Sequence, residues 1–172
     1  QSHKKLIFLI KNHLAQKLGY IYDKNGEIAE SGNRIDSLFT QLNQLPYYNE
    51  KGPKSLGKEW VEKYIQPLFD QYSNIPDLIH TFTEHAAFQI GKNLHEGSCL
   101  VTGGGAFNNY LLKRLKCYTK TNIYLPEKKI IEYKEALIFA FLGVLRYRNE
   151  VNCLSSVTGA KFNCSGGVIF TP

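Results

Sequence analysis

The chain has 172 residues and a formal net charge of +6, and 43% of its residues are hydrophobic while 21% are charged. This length and composition predict a single globular domain, residues 1–172, and exclude extended disorder. The longest strongly apolar run, residues 136–145, is too short to cross a bilayer, and no signal peptide is visible. The sequence contains no methionine. We therefore interpret it as a fragment of a longer protein.

The excess of basic residues makes a polyanion partner worth testing. Most lysines between positions 51 and 63 alternate with glutamates, which is typical of a solvated helical face. A second group of basic residues has no acidic residues among them, but it carries only four charges: Lys113, Arg114, Lys116 and Lys120. The charge pattern thus argues against a nucleic-acid partner. It leaves a basic module that binds a polyanion or a protein as the alternative to an enzyme.

The cysteines and histidines show no metal-ligand spacing. Cys99, Cys117, Cys153 and Cys164 include no CxxC pair, and no two histidines lie at i, i+4. We expect reduced thiols in a cytosolic protein, histidines that pack on the surface or in the core, and no metal site.

Apolar residues recur at helical spacing in four segments of the first half of the chain. The predicted helices cover residues 5–18, 35–45, 60–68 and 76–94, and turn chemistry at 23–26 and a loop at 47–56 separate some of them. Pro46 ends the second helix, Pro67 ends or kinks the third, and Pro76 lies in the first turn of the fourth.

The pattern changes after Gly97. A short apolar strand at residues 99–101 precedes three glycines and a helix that Asn108 caps, and a second strand follows at residues 123–125. Two strands joined by a helix predict a parallel βαβ unit. A last helix over residues 132–148 is apolar on nearly every side, so we expect it to be buried between layers. The tail is predicted to form loops with a short strand at 168–170. The fold class is α/β, rich in helices, with a short parallel sheet.

The glycine turn is the strongest candidate for chemistry. Gly103, Gly104 and Gly105 allow the backbone to approach a ligand closely, and the following helix N-terminus favours an anionic group. The turn is neither a P-loop nor a dinucleotide fingerprint, because the lysine of the first and the third glycine of the second are absent. A structural turn and a ligand-contacting turn both remain open.

Glu135 is the second candidate, at the start of the apolar helix and near the edge of a layer. It either complements the helix dipole from the first turn or belongs to a site. The segment 54–60 is interpreted as structural, with Ser55 capping a helix and Trp60 anchoring it. The sequence shows no Ser-His-Asp pattern or pair of carboxylates.

Five segments, taken in order, resemble the C-terminal part of the anhydro-N-acetylmuramic acid kinase family: residues 23–32, 53–60, 100–108, 135–142 and 156–160. The resemblance implies a partial ribonuclease-H-like, actin-like ATPase fold, in which this chain is the C-terminal lobe of a larger two-lobed kinase. It also implies phosphorylation of 1,6-anhydro-N-acetylmuramic acid by ATP with Mg²⁺, and hydrolytic opening of the anhydro ring, in peptidoglycan recycling and amino sugar catabolism. A cytoplasmic location, a homodimer and a missing N-terminal lobe as partner follow from the same resemblance.

The resemblance also assigns site residues. Gly103, Gly104, Gly105 and Asn108 match the nucleotide-side glycine motif, and Glu135 matches the acidic residue near the anhydro-sugar. The family's catalytic aspartate is expected just before the first helix, but residues 6–11 carry no carboxylate, so no catalytic residue is assigned and residues 1–11 are interpreted as non-family sequence. We expect the fragment alone to be inactive. Phe107, which follows the glycine motif, is expected to alter contacts to the base or ribose.

Overall fold

The computed structural model describes residues 10–50 and 57–170. The fold divides into two units, Gln1–Leu125 and Pro126–Pro172. Helices predominate, and a short two-stranded parallel sheet accompanies them in the first unit. The helix-rich α/β class with a short parallel sheet is therefore confirmed.

The first unit begins with short helices that turns separate. Helix α1 covers residues 10–16, and the part of the predicted helix before residue 10 lies outside the described residues. The next elements are a 3-10 helix at Lys24–Gly26, α2 at Glu27–Ser31, α3 at Asp36–Asn43 and a 3-10 helix at Pro46–Tyr48. The turn predicted at residues 23–26 and the end of the second predicted helix before Pro46 are confirmed.

A proline divides the third predicted helix in two. Helix α4, Lys58–Tyr64, ends just before Ile65, and α5, Gln66–Phe69, has Pro67 in its first turn. Proline is tolerated there because the first amides of a helix have no partner within it. Trp60 packs edge-on against Tyr47, with ring centroids 5.4 Å apart. The predicted cap Ser55 lies outside the described residues, and the N-cap of α4 is Gly57.

The long helix α6, Ile75–Lys92, is the centre of the first unit. Its N-cap Asn74 accepts a hydrogen bond from the amide of Asp77 at 3.3 Å, and Pro76 lies in its first turn as predicted. The apolar face of α6 forms the core with residues from the shorter helices, among them Leu14, Leu38, Leu42, Phe69, Leu78, Ile79 and Phe82. Helix α6 thereby fixes the positions of its neighbours.

The predicted βαβ unit is confirmed. Strand β1, Ser98–Leu100, pairs in parallel with β2, Asn122–Tyr124, and helix α7, Asn109–Cys117, connects them. Leu100 and Tyr124 are 58% and 59% exposed. The strands are largely exposed at these positions, because a sheet of two three-residue strands needs other elements to cover its faces.

The second unit contains the long helix α8, Lys128–Tyr147, the short helix α9, Ser155–Thr158, and an antiparallel bridge between Cys153 and Cys164. The expected burial of α8 is wrong, because none of its residues is buried and Phe139 is 70% exposed. The other elements of this unit are too small to cover a helix of 20 residues. The strand expected at residues 168–170 is not formed.

None of the helices within the described ranges combines the length and the apolar character that a membrane span requires.

Candidate functional site

The glycine turn connects β1 to α7 through a change in backbone direction. Gly103 has φ +80° and ψ −175°, a conformation that residues with a Cβ rarely adopt. Gly104–Phe107 then form a 3-10 helix, and the amide of Ala106 donates to the carbonyl of Gly103 at 2.9 Å. A Cβ atom placed at Gly103 or Gly104 would meet no protein atom within 4 Å. The outer side of the turn is therefore open to a ligand.

Asn108 fixes the helix that follows this turn. Its Oδ1 atom accepts a hydrogen bond from the amide of Leu111 at 2.8 Å, which confirms the predicted N-cap of α7. The residue is 5% exposed. The structure therefore gives Asn108 a positioning role beneath the turn, while a direct contact with nucleotide stays a prediction.

The turn at residues 23–26 supports Asn108 from below. Gly26 has φ +85°, and a Cβ atom at this position would lie 2.5 Å from Oδ1 of Asn108 and 2.6 Å from Cβ of Tyr110. Such distances exclude any side chain. Only glycine fits at position 26, because the backbone there has a positive φ and because a side chain would collide with Asn108, which caps α7.

A buried ion pair fixes the 23–26 turn in its place. Nζ of Lys11 lies 3.1 Å from Oδ2 of Asp23, and both side chains are less than 5% exposed. Burial lowers the pKa of Lys11, and the charge of Asp23 opposes this effect. Oδ1 of Asp23 accepts a hydrogen bond from the amide of Ile28 at 2.8 Å. Helix α1 is therefore tied through Asp23 to the support of the glycine turn.

A polar pocket of about 320 Å³ lies beside α6 and α7, and sequence reasoning did not find it. Its base is Glu84, which is 1% exposed and forms an ion pair with Nε of Arg114. The hydroxyl of Tyr118 donates to Oε2 of Glu84 at 2.6 Å. The side chains that line the pocket are Arg34, Asp36, His80, Glu84, Tyr110 and Arg114.

The charges of this pocket are paired within it. Arg34 contacts Asp36 at 2.7 Å, and Arg114 contacts Glu84. Burial and then the charge of Glu84 raise the pKa of Tyr110 to about 12, so its hydroxyl stays protonated at neutral pH. The pocket can hydrogen-bond a small polar molecule, but its arrangement contains no activated nucleophile. The i, i+4 spacing of His80 and Glu84 on α6 is a sequence feature from which a polar site on this helix could have been inferred.

Of the histidines of α6, His85 is buried in the core and His80 is half-buried beside the pocket. Nε2 of His85 lies 2.7 Å from the hydroxyl of Tyr48, and Nδ1 lies 2.8 Å from Oδ1 of Asn43. Burial lowers the pKa of His85 to about 3, so it is neutral at physiological pH. Nδ1 of His80 is 2.8 Å from the carbonyl oxygen of Ala29. Both imidazoles therefore link α6 to neighbouring elements.

Glu135 lies in the second unit, and its position on α8 differs from the one expected. Helix α8 begins at Lys128, so Glu135 is two turns inside the helix and its first turn contains no acidic residue. The interpretation as a first-turn acid that complements the helix dipole is therefore wrong, because the dipole effect fades within the first turn. Glu135 is exposed and makes no hydrogen bond or ion pair with the described residues.

Among residues 10–50 and 57–170, no three His, Cys, Asp or Glu side chains converge in a way that could bind a metal ion. The basic group of α7 is also partly neutralised, since Lys113 contacts Glu30 at 2.7 Å and Arg114 contacts Glu84. This pairing weakens the case for a polyanion site on α7.

Comparison with known proteins identifies the family. The profile of the family "Anhydro-N-acetylmuramic acid kinase" matches residues 7–172, and so includes residues 7–11. The proteins named anhydro-N-acetylmuramic acid kinase from Sulfurovum sp., Aliivibrio fischeri and Actinobacillus pleuropneumoniae are 32%, 31% and 34% identical to this chain. The alignments cover 91%, 94% and 87% of this chain but only 45%, 47% and 44% of those relatives.

The chain thus spans less than half the length of the curated relatives it matches. The comparisons give no support to the alternative of a non-catalytic basic module. With nearly its whole length matched by one family profile, the chain belongs to the anhydro-N-acetylmuramic acid kinase family.

Proposed function

We propose that this chain is the C-terminal lobe of an ATP-dependent kinase that phosphorylates 1,6-anhydro-N-acetylmuramic acid and opens its anhydro ring, and that the lobe is actin-like. The observation that carries the proposal is the family match over residues 7–172. The strand, glycine turn and capped helix at residues 98–117 support a nucleotide site within it. A missing N-terminal lobe agrees with the coverage of the relatives.

The nucleotide is proposed to lie against the open side of the glycine turn. Gly103, Gly104 and Gly105 have no side chains to keep a phosphate group away, and the first amides of a 3-10 helix have no partner within the helix and can donate to an anion. Asn108 keeps α7 in position through its cap. ATP supplies the phosphoryl group when bound, and this turn would orient it.

Magnesium is proposed to arrive with the nucleotide, held mainly by phosphate oxygens and water. The described residues offer no cluster of three metal ligands, so they do not fit a metal held by this chain. No catalytic step is therefore assigned to the ion here.

Glu135 is proposed to contact the sugar. Its carboxylate is exposed and free of partners among the described residues, so it can accept hydrogen bonds from sugar hydroxyls without first breaking an ion pair. A homodimer and a cytoplasmic location remain predictions of the family resemblance.

The chain alone is expected to be inactive. A carboxylate that activates the acceptor is expected near the start of this chain, but residues 1–22 contain no Asp or Glu. Phosphoryl transfer depends on positioning and on neutralisation of phosphate charge, and one lobe supplies only part of both. Turnover of ATP with the anhydro-sugar by the purified 172-residue chain would contradict this expectation.

Binding can be tested on the chain by thermal unfolding with ADP and Mg²⁺. At 100 times the dissociation constant, a site in the folded state adds about 2.7 kcal/mol to the free energy of unfolding. Gly104→Ala is the diagnostic variant, because its methyl group meets no protein atom but occupies the space proposed for the ligand. An added methyl group in a filled site costs about 1–3 kcal/mol, so the affinity should fall about 5-fold to 150-fold.

Gly143→Ala is the matched control. Its methyl group also meets no protein atom within 4 Å, but Gly143 lies in α8, outside the glycine turn. Stabilisation of wild type and Gly143→Ala by ADP, and a weaker effect on Gly104→Ala, would support the proposal. Absence of stabilisation by ADP, together with salt-dependent binding to nucleic acid, would favour the basic module instead.

A further inference from the structure

Two cysteines face each other across the only β-bridge found in the described part of the second unit. The amide of Cys153 donates to the carbonyl of Cys164 at 3.0 Å, and the amide of Cys164 donates to the carbonyl of Cys153 at 3.0 Å. Both thiols are free. The two residues are therefore a directly opposed, hydrogen-bonded antiparallel pair.

This pairing brings the two side chains within reach of a disulfide bond. Opposed residues that exchange both hydrogen bonds have Cα atoms roughly 5.5 Å apart, and disulfides span Cα separations of about 4.4–6.8 Å. Side chains of directly opposed residues also extend from the same face of the ladder. The Cα separation and the shared face are thus compatible with a bond between the sulfurs, which requires the Cβ atoms to approach from about 5.5 Å to about 4.5 Å or less.

The side chain of Asn152 holds the bridge in register. Its Nδ2 atom donates to the carbonyl of Gly166 at 3.0 Å, and its Oδ1 atom accepts from the amide of Gly166 at 2.7 Å. These two side-chain bonds tie Asn152 to the segment that carries Cys164. The register that opposes Cys153 to Cys164 is therefore set before any covalent bond forms.

Gly166 also provides space for the sulfur of Cys153. A Cβ atom at Gly166 would lie only 3.0 Å from that sulfur. The sulfur of Cys153 therefore lies close to the backbone of the segment that carries Cys164. Cys164 is exposed and Cys153 is half-buried, so a small reagent can reach the pair.

We propose that Cys153 and Cys164 are a redox modification site, oxidised to an intramolecular disulfide by a low-molecular-weight disulfide such as oxidised glutathione. The exposed thiol of Cys164 loses its proton to solvent, and its thiolate attacks one sulfur of the reagent and releases the first small thiol. The thiolate of Cys153 then attacks the sulfur of Cys164 and releases the second. One disulfide bond breaks and one forms, and the reagent takes up two electrons and two protons.

The new bond would close a ring around residues 154–163. The ring contains α9 and the turn at Gly159, whose φ is +75°. The disulfide would restrict the conformations of this segment in the state in which the hydrogen bonds of the bridge are broken. The proposal depends only on the second unit, so it is independent of the proposed kinase activity.

Tryptic mapping of the chain treated with oxidised glutathione tests the proposal. Cleavage after Arg148 and Lys161 places Cys153 in peptide 149–161 and Cys164 in peptide 162–172. We expect these peptides to be linked in most of the native chain without reductant and to separate after reduction. A Cys99→Ser, Cys117→Ser double variant should give the same linked product, whereas Cys164→Ser should lose it.

Treatment in urea supplies a further control, because the unfolded chain should distribute its thiols over several pairings. A linked yield in the native chain that is well above that in urea supports a preformed pair. The proposal would be overturned if native Cys153 and Cys164 each ended as a separate mixed disulfide with glutathione. It would also be overturned if they paired with Cys99 or Cys117 instead.

Discussion

Replacement of Gly26 by alanine tests how the glycine turn is supported. Gly26 has φ +85°, and the added methyl carbon would lie 2.5 Å from the oxygen with which Asn108 caps α7. The side chain of Asn108 would have to move, because Cβ of Tyr110 blocks the other side at 2.6 Å. The variant should therefore damage both the 23–26 turn and the start of α7.

Two contributions set the expected loss of stability. A residue with a Cβ in the left-handed region costs about 1–2 kcal/mol. Loss of an asparagine N-cap costs about 1 kcal/mol, and the contact with Tyr110 adds to it. We expect Gly26→Ala to lower the free energy of unfolding by about 3 kcal/mol.

Gly19→Ala is the matched control, because Gly19 has nearly the same φ, +83°, but no atom within 4 Å of an added Cβ. It should lose only about 1–2 kcal/mol. Urea unfolding followed by the fluorescence of Trp60, the single tryptophan, measures both variants. Because Trp60 packs against Tyr47 in the same unit, its emission reports on the unit that contains both glycines.

A double-mutant cycle with Asn108→Ala separates the two contributions. If Gly26 acts through the cap, the two substitutions should be coupled by about 1 kcal/mol. Equal losses for Gly26→Ala and Gly19→Ala would refute the reasoning, as would simple additivity with Asn108→Ala. Either result would mean that Asn108 is not positioned by this contact.

Two further predictions concern buried titratable groups. The pKa of His85 is lowered to about 3 from an ordinary value near 6.5, so protons bind the unfolded state preferentially. The free energy of unfolding should therefore fall as the pH drops below about 6.5, by about 2 kcal/mol at pH 5. In urea titrations from pH 7 to 5, His85→Gln should make the free energy of unfolding nearly independent of pH. Substitution of the exposed His13 is the control and should leave the pH dependence unchanged. An equal loss of pH dependence in both variants would contradict the assignment to His85. Arg114→Met should lower the free energy of unfolding by about 1–3 kcal/mol, because it leaves the buried Glu84 carboxylate without its cation. Lys113→Met breaks a surface ion pair and should lower it by less than about 1 kcal/mol. Equal losses for these neighbouring residues would show that Glu84 does not depend on Arg114.

Local features of the sequence placed most of the helices and the turn. Pro67 and Pro76 act within their own helical turns, and Asn108 caps a helix only three residues away, so each effect is visible in a short window of sequence. The parallel pairing of β1 and β2 was also predictable, because a helix between two short strands leaves few alternatives.

Contacts between distant segments were beyond the reach of such patterns. Glu84 and Arg114 are 30 residues apart, and nothing in either helix alone shows that the carboxylate is buried or that a pocket forms beside it. The environment of Glu135 was misjudged for a related reason. The apolar residues of α8 indicate that the helix needs a partner, but not whether this chain supplies one.

The sequence by itself determined the family, the order of the main elements and the glycine turn, because these depend on short motifs and local backbone preferences. Only the tertiary structure decided that Gly26 supports Asn108, that Glu84 is buried with Arg114, and that Cys153 faces Cys164. The first two depend on the register between helices and turns that are far apart in the chain, and the third on the register between two segments that the sequence pattern does not mark as paired. That register is set by the packing of the whole unit, which no local pattern contains.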